Sequence, residues 1–89
     1  MEFGDYTTVL HKYIDTFVVE EDRERLKQSI ELDVLLKNVP DVGLYKLGYR
    51  RIMNGVIAYF EMNVVKIINE NNEITLIFGF RDIDKEMRR

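Results

Sequence analysis

The sequence predicts an α+β domain in which helices come first and a three-stranded antiparallel meander follows. Apolar residues recur with the 3.6-residue period of amphipathic helices as far as residue 39, and with a period of about two from residue 44 onward. An Asn-Gly pair, Asn54 and Gly55, lies between two strand-like segments and favours a tight hairpin turn. With 89 residues, the chain has room for one domain and one core.

The helical part is predicted over residues 5–39. Its first helix covers residues 6–17, with Asp5 as the N-cap and with His11 on a polar face that should point toward solvent. Three consecutive carboxylates at residues 20–22 indicate a second helix, because they complement the partial positive charge of a helix N-terminus. Ser29 either lies inside this helix or caps a third one. We favour a break near Ser29, since a new apolar stripe begins at Leu32.

After a turn at residues 40–43, strands are predicted at residues 44–52, 55–68 and 73–83, and the Asn-rich residues 69–72 form the second turn. Both faces of the last two strands carry apolar side chains. The face away from the helices includes Ile57, Tyr59, Val65, Ile67, Ile77 and Ile83. A sheet that is apolar on both faces is normally covered on both, so the sequence predicts a neighbour for this sheet.

The sequence contains no pattern of catalytic, metal-ligating or cofactor-binding residues. It has no Cys, and its single His, His11, lies in a different predicted helix from Ser29. The carboxylates at residues 20–22 lack the alternation of a calcium loop, and no glycine motif for nucleotide phosphates is present. We therefore expect neither enzymatic activity, nor a bound metal, nor a cofactor.

Charge and hydropathy indicate the compartment. No run of about 18 apolar residues is present, and Glu2 and Asp5 stand where a signal peptide would have basic residues. We expect a cytoplasmic segment that does not insert into a membrane. The net charge of −3 disfavours a broad nucleic-acid surface.

One segment nevertheless favours an alternative, a module that binds single-stranded nucleic acid. The first predicted strand interleaves aromatic and basic residues: Tyr45, Lys46, Tyr49, Arg50 and Arg51. Such a pattern on a sheet can stack bases and neutralise phosphates. Packing of the tyrosines against neighbouring strands, with the arginines in solvent, explains the same pattern, and we prefer that interpretation.

Three stretches resemble the later part of a PAS domain of the kind found in bacterial signalling proteins with GGDEF (diguanylate cyclase) output domains. Residues 18–23, Val-Val-Glu-Glu-Asp-Arg, resemble the motif V-x-P-E-D-R, with Glu20 where Pro is usual. Residues 49–60 resemble the family's Y-R strand and the strand that follows it. Residues 77–84 resemble the final strand and its exit motif D-I-T, with Asp84 in place of Thr.

The resemblance implies a truncated PAS-like domain over residues 1–89, because the strand pair that opens a complete PAS domain is not seen before Tyr6. It implies signal transduction, a homodimer and a downstream output domain. Asp82, Ile83 and Asp84 would form the signal exit motif, and residues 84–89 the connector. The expected interface is the last strand, whose edge would lack its usual partner; its residues are Ile74, Leu76, Ile77, Phe78 and Phe80.

Overall fold

Four helices and three strands make up the computed structural model, which describes the backbone of residues 3–87 and the side chains of residues 6–87. The helices are α1 (Phe3–Phe17), α2 (Glu20–Ser29), α3 (Leu32–Asn38) and the short α4 (Asp84–Met87). The strands are β1 (Tyr45–Met53), β2 (Val56–Ile68) and β3 (Ile74–Asp82), in the order β1-β2-β3. The predicted α+β class, helices followed by an antiparallel meander, is confirmed.

The turns between the strands form as the sequence predicts. Asn54 and Gly55 have φ of 52° and 78°, so both central positions are in the left-handed region that a type I′ turn requires. Met53 pairs with Val56 across this turn. In the second turn Asn72 has a φ of 62°, a conformation that Asn tolerates better than most residues.

The core lies between the helices and one face of the sheet. Ile14 of α1, Leu26 of α2 and Leu35 of α3 are fully buried, as are Met62 and Val64 of β2. We call this the inner face of the sheet, and the opposite face the outer face. The apolar stripes of the amphipathic helices therefore pack on the inner face, because alternate residues of β2 present apolar side chains there.

Two details of the helical part differ from the predictions. The helix α1 begins at Phe3, so Asp5 lies within its first turn and the prediction of an N-cap at Asp5 is wrong. His11 is half-buried and its Nε2 has no contact with solvent, so its predicted exposure is also wrong. The reason is that α2 packs beside α1: Lys27 reaches Asp15 at 2.7 Å, and His11 lies one turn before Asp15 on the same flank.

The break between α2 and α3 lies where the sequence places it. The helix α2 ends at Ser29, whose hydroxyl donates to the carbonyl of Arg25 at 2.8 Å. Ser29 therefore belongs to α2 and does not cap α3, which begins after Glu31 without a side-chain cap.

Candidate functional site

The outer face of the sheet is largely exposed, and it is apolar at many positions. Four isoleucines from all three strands point away from the core, each with between 43% and 48% of its surface exposed: Ile52, Ile57, Ile67 and Ile77. Their positions follow from the register, since residues of one parity along each strand face the helices. The apolar second face that the sequence predicts is therefore present and open to solvent.

The edge of β3 that faces away from β2 is not paired with any segment in residues 3–87. Backbone bonds from Asn69 to Glu73 and from Ile83 to Tyr59 fix the alternation, so odd-numbered residues of β3 bond to β2. The backbone N–H and C=O groups of even-numbered residues, including Leu76 and Phe78, then point outward along the edge. A strand with such a row of groups is a template for pairing with another chain.

The five predicted interface residues lie on β3, but their side chains divide between the two faces. Ile77 is on the outer face, whereas Ile74, Leu76, Phe78 and Phe80 are on the inner face. The inner side chains are not equally buried: the Tyr6 ring stacks on Phe78 at 5.2 Å, while 46% of Phe80 remains exposed. The edge is therefore flanked by apolar side chains on both sides.

The predicted exit motif fixes the direction in which the chain leaves the sheet. The backbone N–H of Ile83 donates to the carbonyl of Tyr59, and the carboxylate of Asp84 accepts the backbone N–H of Tyr59 at 3.0 Å. Two residues before Asp84, Asp82 accepts the backbone N–H of Asp84 at 2.9 Å. The Asp84 carboxylate thus holds the start of α4 against β2, and the Asp82 carboxylate fixes the turn that leads to it.

An ion pair between a buried carboxylate and a half-exposed arginine links the start of α2 to β1. Asp22 is only 8% exposed, and its carboxylate accepts hydrogen bonds from Arg50 Nε at 3.0 Å, Arg50 Nη2 at 2.9 Å and the backbone N–H of Arg50 at 2.9 Å. The hydrogen bonds from the Arg50 side chain lower the pKa of Asp22, against the opposing effect of burial. Sequence reasoning assigned Asp22 only to the helix dipole and missed this pairing.

The other edge of the sheet, along β1, is covered in its middle. Val18 bridges to Arg51, the backbone N–H of Val19 donates to the carbonyl of Arg50 at 3.0 Å, and Arg25 Nη2 donates to the carbonyl of Gly48 at 3.0 Å. Together with Asp22, these groups take the place of a neighbouring strand at Gly48 and Arg50. Pairing with a further strand is therefore hindered in the middle of β1, whereas no described strand bonds to the free edge of β3.

Aromatic rings surround the second arginine of β1. The Arg51 guanidinium carbon lies 4.6 Å from the ring centroids of Phe17 and Phe60 and 5.6 Å from that of Tyr13. The hydroxyl of Tyr13 is hydrogen-bonded to that of Tyr49, and burial raises the pKa of Tyr49. These contacts are typical of cation–π packing that joins α1 to the sheet.

This arrangement disfavours the nucleic-acid alternative. Tyr49 is 3% exposed, Arg50 is bound to Asp22, and Arg51 is inserted among aromatic rings. Tyr45 and Lys46 point to opposite faces of the sheet. Base stacking requires exposed ring faces beside mobile cations, and the segment does not present them together.

The residues considered for catalysis are not brought together. Ser29 donates its hydroxyl within α2, and His11 lies on α1 facing the Asp15–Lys27 flank. Within residues 3–87 there is no group of three or more His, Asp or Glu placed to hold a metal ion. No helix in this part of the chain is long and apolar enough to cross a membrane.

Comparisons with protein-family models, with curated proteins and with solved structures found no match. The function is therefore inferred from the geometry of the chain itself. Its distinctive features are the unpaired edge of β3, the exposed apolar outer face and the anchored exit segment.

Proposed function

We propose that this chain is a non-catalytic, PAS-like signal-transduction module that forms a homodimer through β3 and relays its state to a downstream output domain. The observation that carries the proposal is the unpaired outer edge of β3, flanked by the exposed side chains of Ile77 and Phe80. Pairing of two β3 strands about a two-fold axis would satisfy the outward backbone groups of both copies. It would also remove apolar surface from water on both faces.

The covered edge at β1 supports a dimer of limited size. Since Val19, Asp22 and Arg25 already bond to the middle of β1, a second copy adds more readily at β3. Antiparallel pairing of β3 with β3 then uses the edge of each copy that has no bonded neighbour within residues 3–87. Such pairing closes the assembly, whereas two open edges would allow it to grow.

The exit segment supports the relay. Asp84 and Ile83 both bond to Tyr59 of β2, so a change in the sheet would be passed to α4 through one backbone hydrogen bond and one bond to a side-chain carboxylate. The first turn of α4 follows directly, and Arg81 is bonded to Glu86 at 3.0 Å. A segment held this tightly can transmit a rotation of the sheet, which a flexible linker would absorb.

The resemblance to PAS domains gains support from one long-range contact. Asp22 lies in the E-D-R stretch and Arg50 in the Y-R stretch, and these two residues form the ion pair between α2 and β1. Two of the motifs on which the resemblance rests therefore share a single structural role, which is to fasten the helical part to the sheet.

Light scattering coupled to gel filtration over a concentration series tests the dimer. The unmodified chain should be a dimer at high micromolar concentration. Ile77→Lys places a charge beside the β3 edge and should weaken the dimer by about tenfold or more, equivalent to about 1.4 kcal/mol.

Ile52→Lys is the matched control. Ile52 is 46% exposed and Ile77 is 48% exposed, and both lie on the outer face, but Ile52 belongs to β1 at the opposite edge. The control should leave the dimer intact. A well-folded monomer of the unmodified chain at high micromolar concentration, or equal effects of the two substitutions, would refute pairing through β3.

A further inference from the structure

A pocket of about 240 Å³ lies at one end of the outer face, between the sheet, the start of α2 and the exit helix α4. Its lining includes Arg25 of α2, Gly48 of β1, Tyr59 of β2, and Ile83 and Met87 at the exit. The pocket is open to solvent along one side. Two of its lining residues, Tyr49 and Phe60, also belong to the core.

The pocket exists in part because position 48 has no side chain. A Cβ atom built on Gly48 would have no other atom within 4 Å, and the backbone at Gly48 is not in the left-handed region. The fold therefore does not require glycine at this position. Glycine in the interior of a strand weakens it, and it often marks a bulge, a bend, or the close approach of a ligand or of another backbone.

The surface of the pocket is largely apolar, and its charged lining residues carry a net positive charge. They are two arginines, Arg25 and Arg50, and one acid, Asp22. Asp22 is already engaged by three hydrogen bonds from Arg50, and Arg25 approaches it only at 3.8 Å. Asp84, which follows Ile83 in the chain, is held by the backbone N–H of Tyr59.

Arg25 is therefore the cation that remains for a ligand. Its side chain is 53% exposed, and it donates one hydrogen bond, from Nη2 to the carbonyl of Gly48. A guanidinium has five N–H donors, so several remain for an anionic group at the mouth of the pocket. Arg also matches a carboxylate in geometry, because it can donate two parallel hydrogen bonds.

We propose that this pocket binds a small organic carboxylate with one aromatic ring or a branched apolar group, its apolar end over Gly48 and its carboxylate on Arg25. The size fits, since a cavity of about 150 Å³ suffices for benzene, and the additional volume accommodates a short acid side chain. A bound ligand would contact Ile83 and Met87. Binding at this site requires neither the dimer nor an output domain.

A titration followed by ¹H–¹⁵N correlation spectra tests the proposal, with phenylacetate as the probe and phenylacetamide as its uncharged counterpart. Phenylacetate should give saturable shifts in the backbone signals of Gly48, Arg50, Tyr59, Ile83 and Met87. Phenylacetamide should bind about fivefold more weakly, because it cannot form a charged pair with Arg25.

Two comparisons between variants test whether the probe binds in this pocket. Gly48→Val adds a side chain to the lining and should abolish binding, whereas Gly79→Val should retain it. Gly79 lies on the same outer face, also has no atom within 4 Å of an added Cβ, and does not line the pocket. Arg25→Gln should weaken phenylacetate by about fivefold and leave phenylacetamide unchanged. If Gly48→Val does not fold, the comparison of Arg25→Gln with the unmodified chain decides whether the probe binds in this pocket.

The absence of saturable shifts up to about 10 mM, a limit corresponding to about −2.7 kcal/mol, would overturn the proposal. Equal affinity for the two probes, or full binding by Gly48→Val, would do the same. A change of oligomeric state in Gly48→Val would also overturn it, since the occupant would then be a second copy. The readout is ligand binding to one chain, so failure here is distinguishable from failure of the β3 dimer.

Discussion

Replacement of Asp22 by Ala should destabilise the fold more than any other change to an acidic residue of α2. Asp22 is the only buried carboxylate among the described residues, and it accepts three hydrogen bonds from Arg50. One of these comes from the backbone N–H of Arg50, at the edge of β1 where a further strand would otherwise bond. The substitution therefore removes an acceptor that the sheet edge cannot replace.

The expected loss can be estimated from the backbone contact. A partly buried N–H group that loses its partner costs roughly 1–3 kcal/mol. The guanidinium of Arg50 remains in contact with water. We therefore add no cost for the loss of its hydrogen bonds to Asp22. We expect about 2 kcal/mol, which corresponds to a drop in Tm of roughly 8–16 °C for a domain of this size.

Urea and thermal unfolding followed by circular dichroism, at pH 7 and low protein concentration, provide the measurement. Glu21→Ala is the control, because Glu21 lies in the same helical turn and is exposed. Its effect should stay within about 0.5 kcal/mol. A similarly small change in Asp22→Ala would refute the reasoning.

The pH dependence gives a second check on Asp22. Since its pKa is lowered in the folded state, the carboxylate contributes its full stability above the unfolded pKa near 3.9 and loses it as the pH falls through the folded value. The difference in unfolding free energy between the unmodified chain and Asp22→Asn should be constant from about pH 5 to 7 and should shrink below about pH 4. A difference that persists at pH 2.5 would contradict the assigned cause.

Two further predictions concern the hairpin and the first strand. Gly55→Ala should cost about 1 kcal/mol, because Gly55 has a φ of 78°, whereas Gly79→Ala should be close to neutral; equal losses in urea unfolding would contradict the assigned turn. Short single-stranded RNA or DNA should bind no tighter than about 10⁻⁴ M at physiological salt, measured by fluorescence anisotropy. Micromolar binding that is lost in Arg50→Ala and Arg51→Ala would instead favour the nucleic-acid module.

The features that the sequence predicted correctly are those set by neighbouring residues. The change of period near residue 44, the left-handed turn at Asn54 and Gly55, and the break after Ser29 all depend on local conformation. Alternation along β2 likewise identified the face that packs on the helices, because side chains on a strand alternate strictly.

The features that the sequence did not predict depend on contacts between distant segments. Asp22 and Arg50 are 28 residues apart, and no local pattern distinguishes Asp22 from the two exposed carboxylates before it. The burial of His11 depends on where α2 packs against α1. The pocket at Gly48 requires residues from α2, β1, β2 and α4, so no single stretch of sequence indicates it.

The two edges of the sheet are protected to different extents, and an acidic side chain of α2 contributes to this difference. The edge of β1 is covered by Val19, Asp22 and Arg25, and all of them belong to the segment that runs from α1 into α2. The helical part therefore protects one edge at the same time as it covers the inner face. No such segment lies along β3 within residues 3–87, although the outer face there is equally apolar at Ile77.

Because exposed edges with apolar flanks promote association, the difference between the two edges favours a closed pair over a growing assembly. Loss of Asp22 would uncover part of the β1 edge, and Asp22→Ala should then form species larger than a dimer, whereas Glu21→Ala should not.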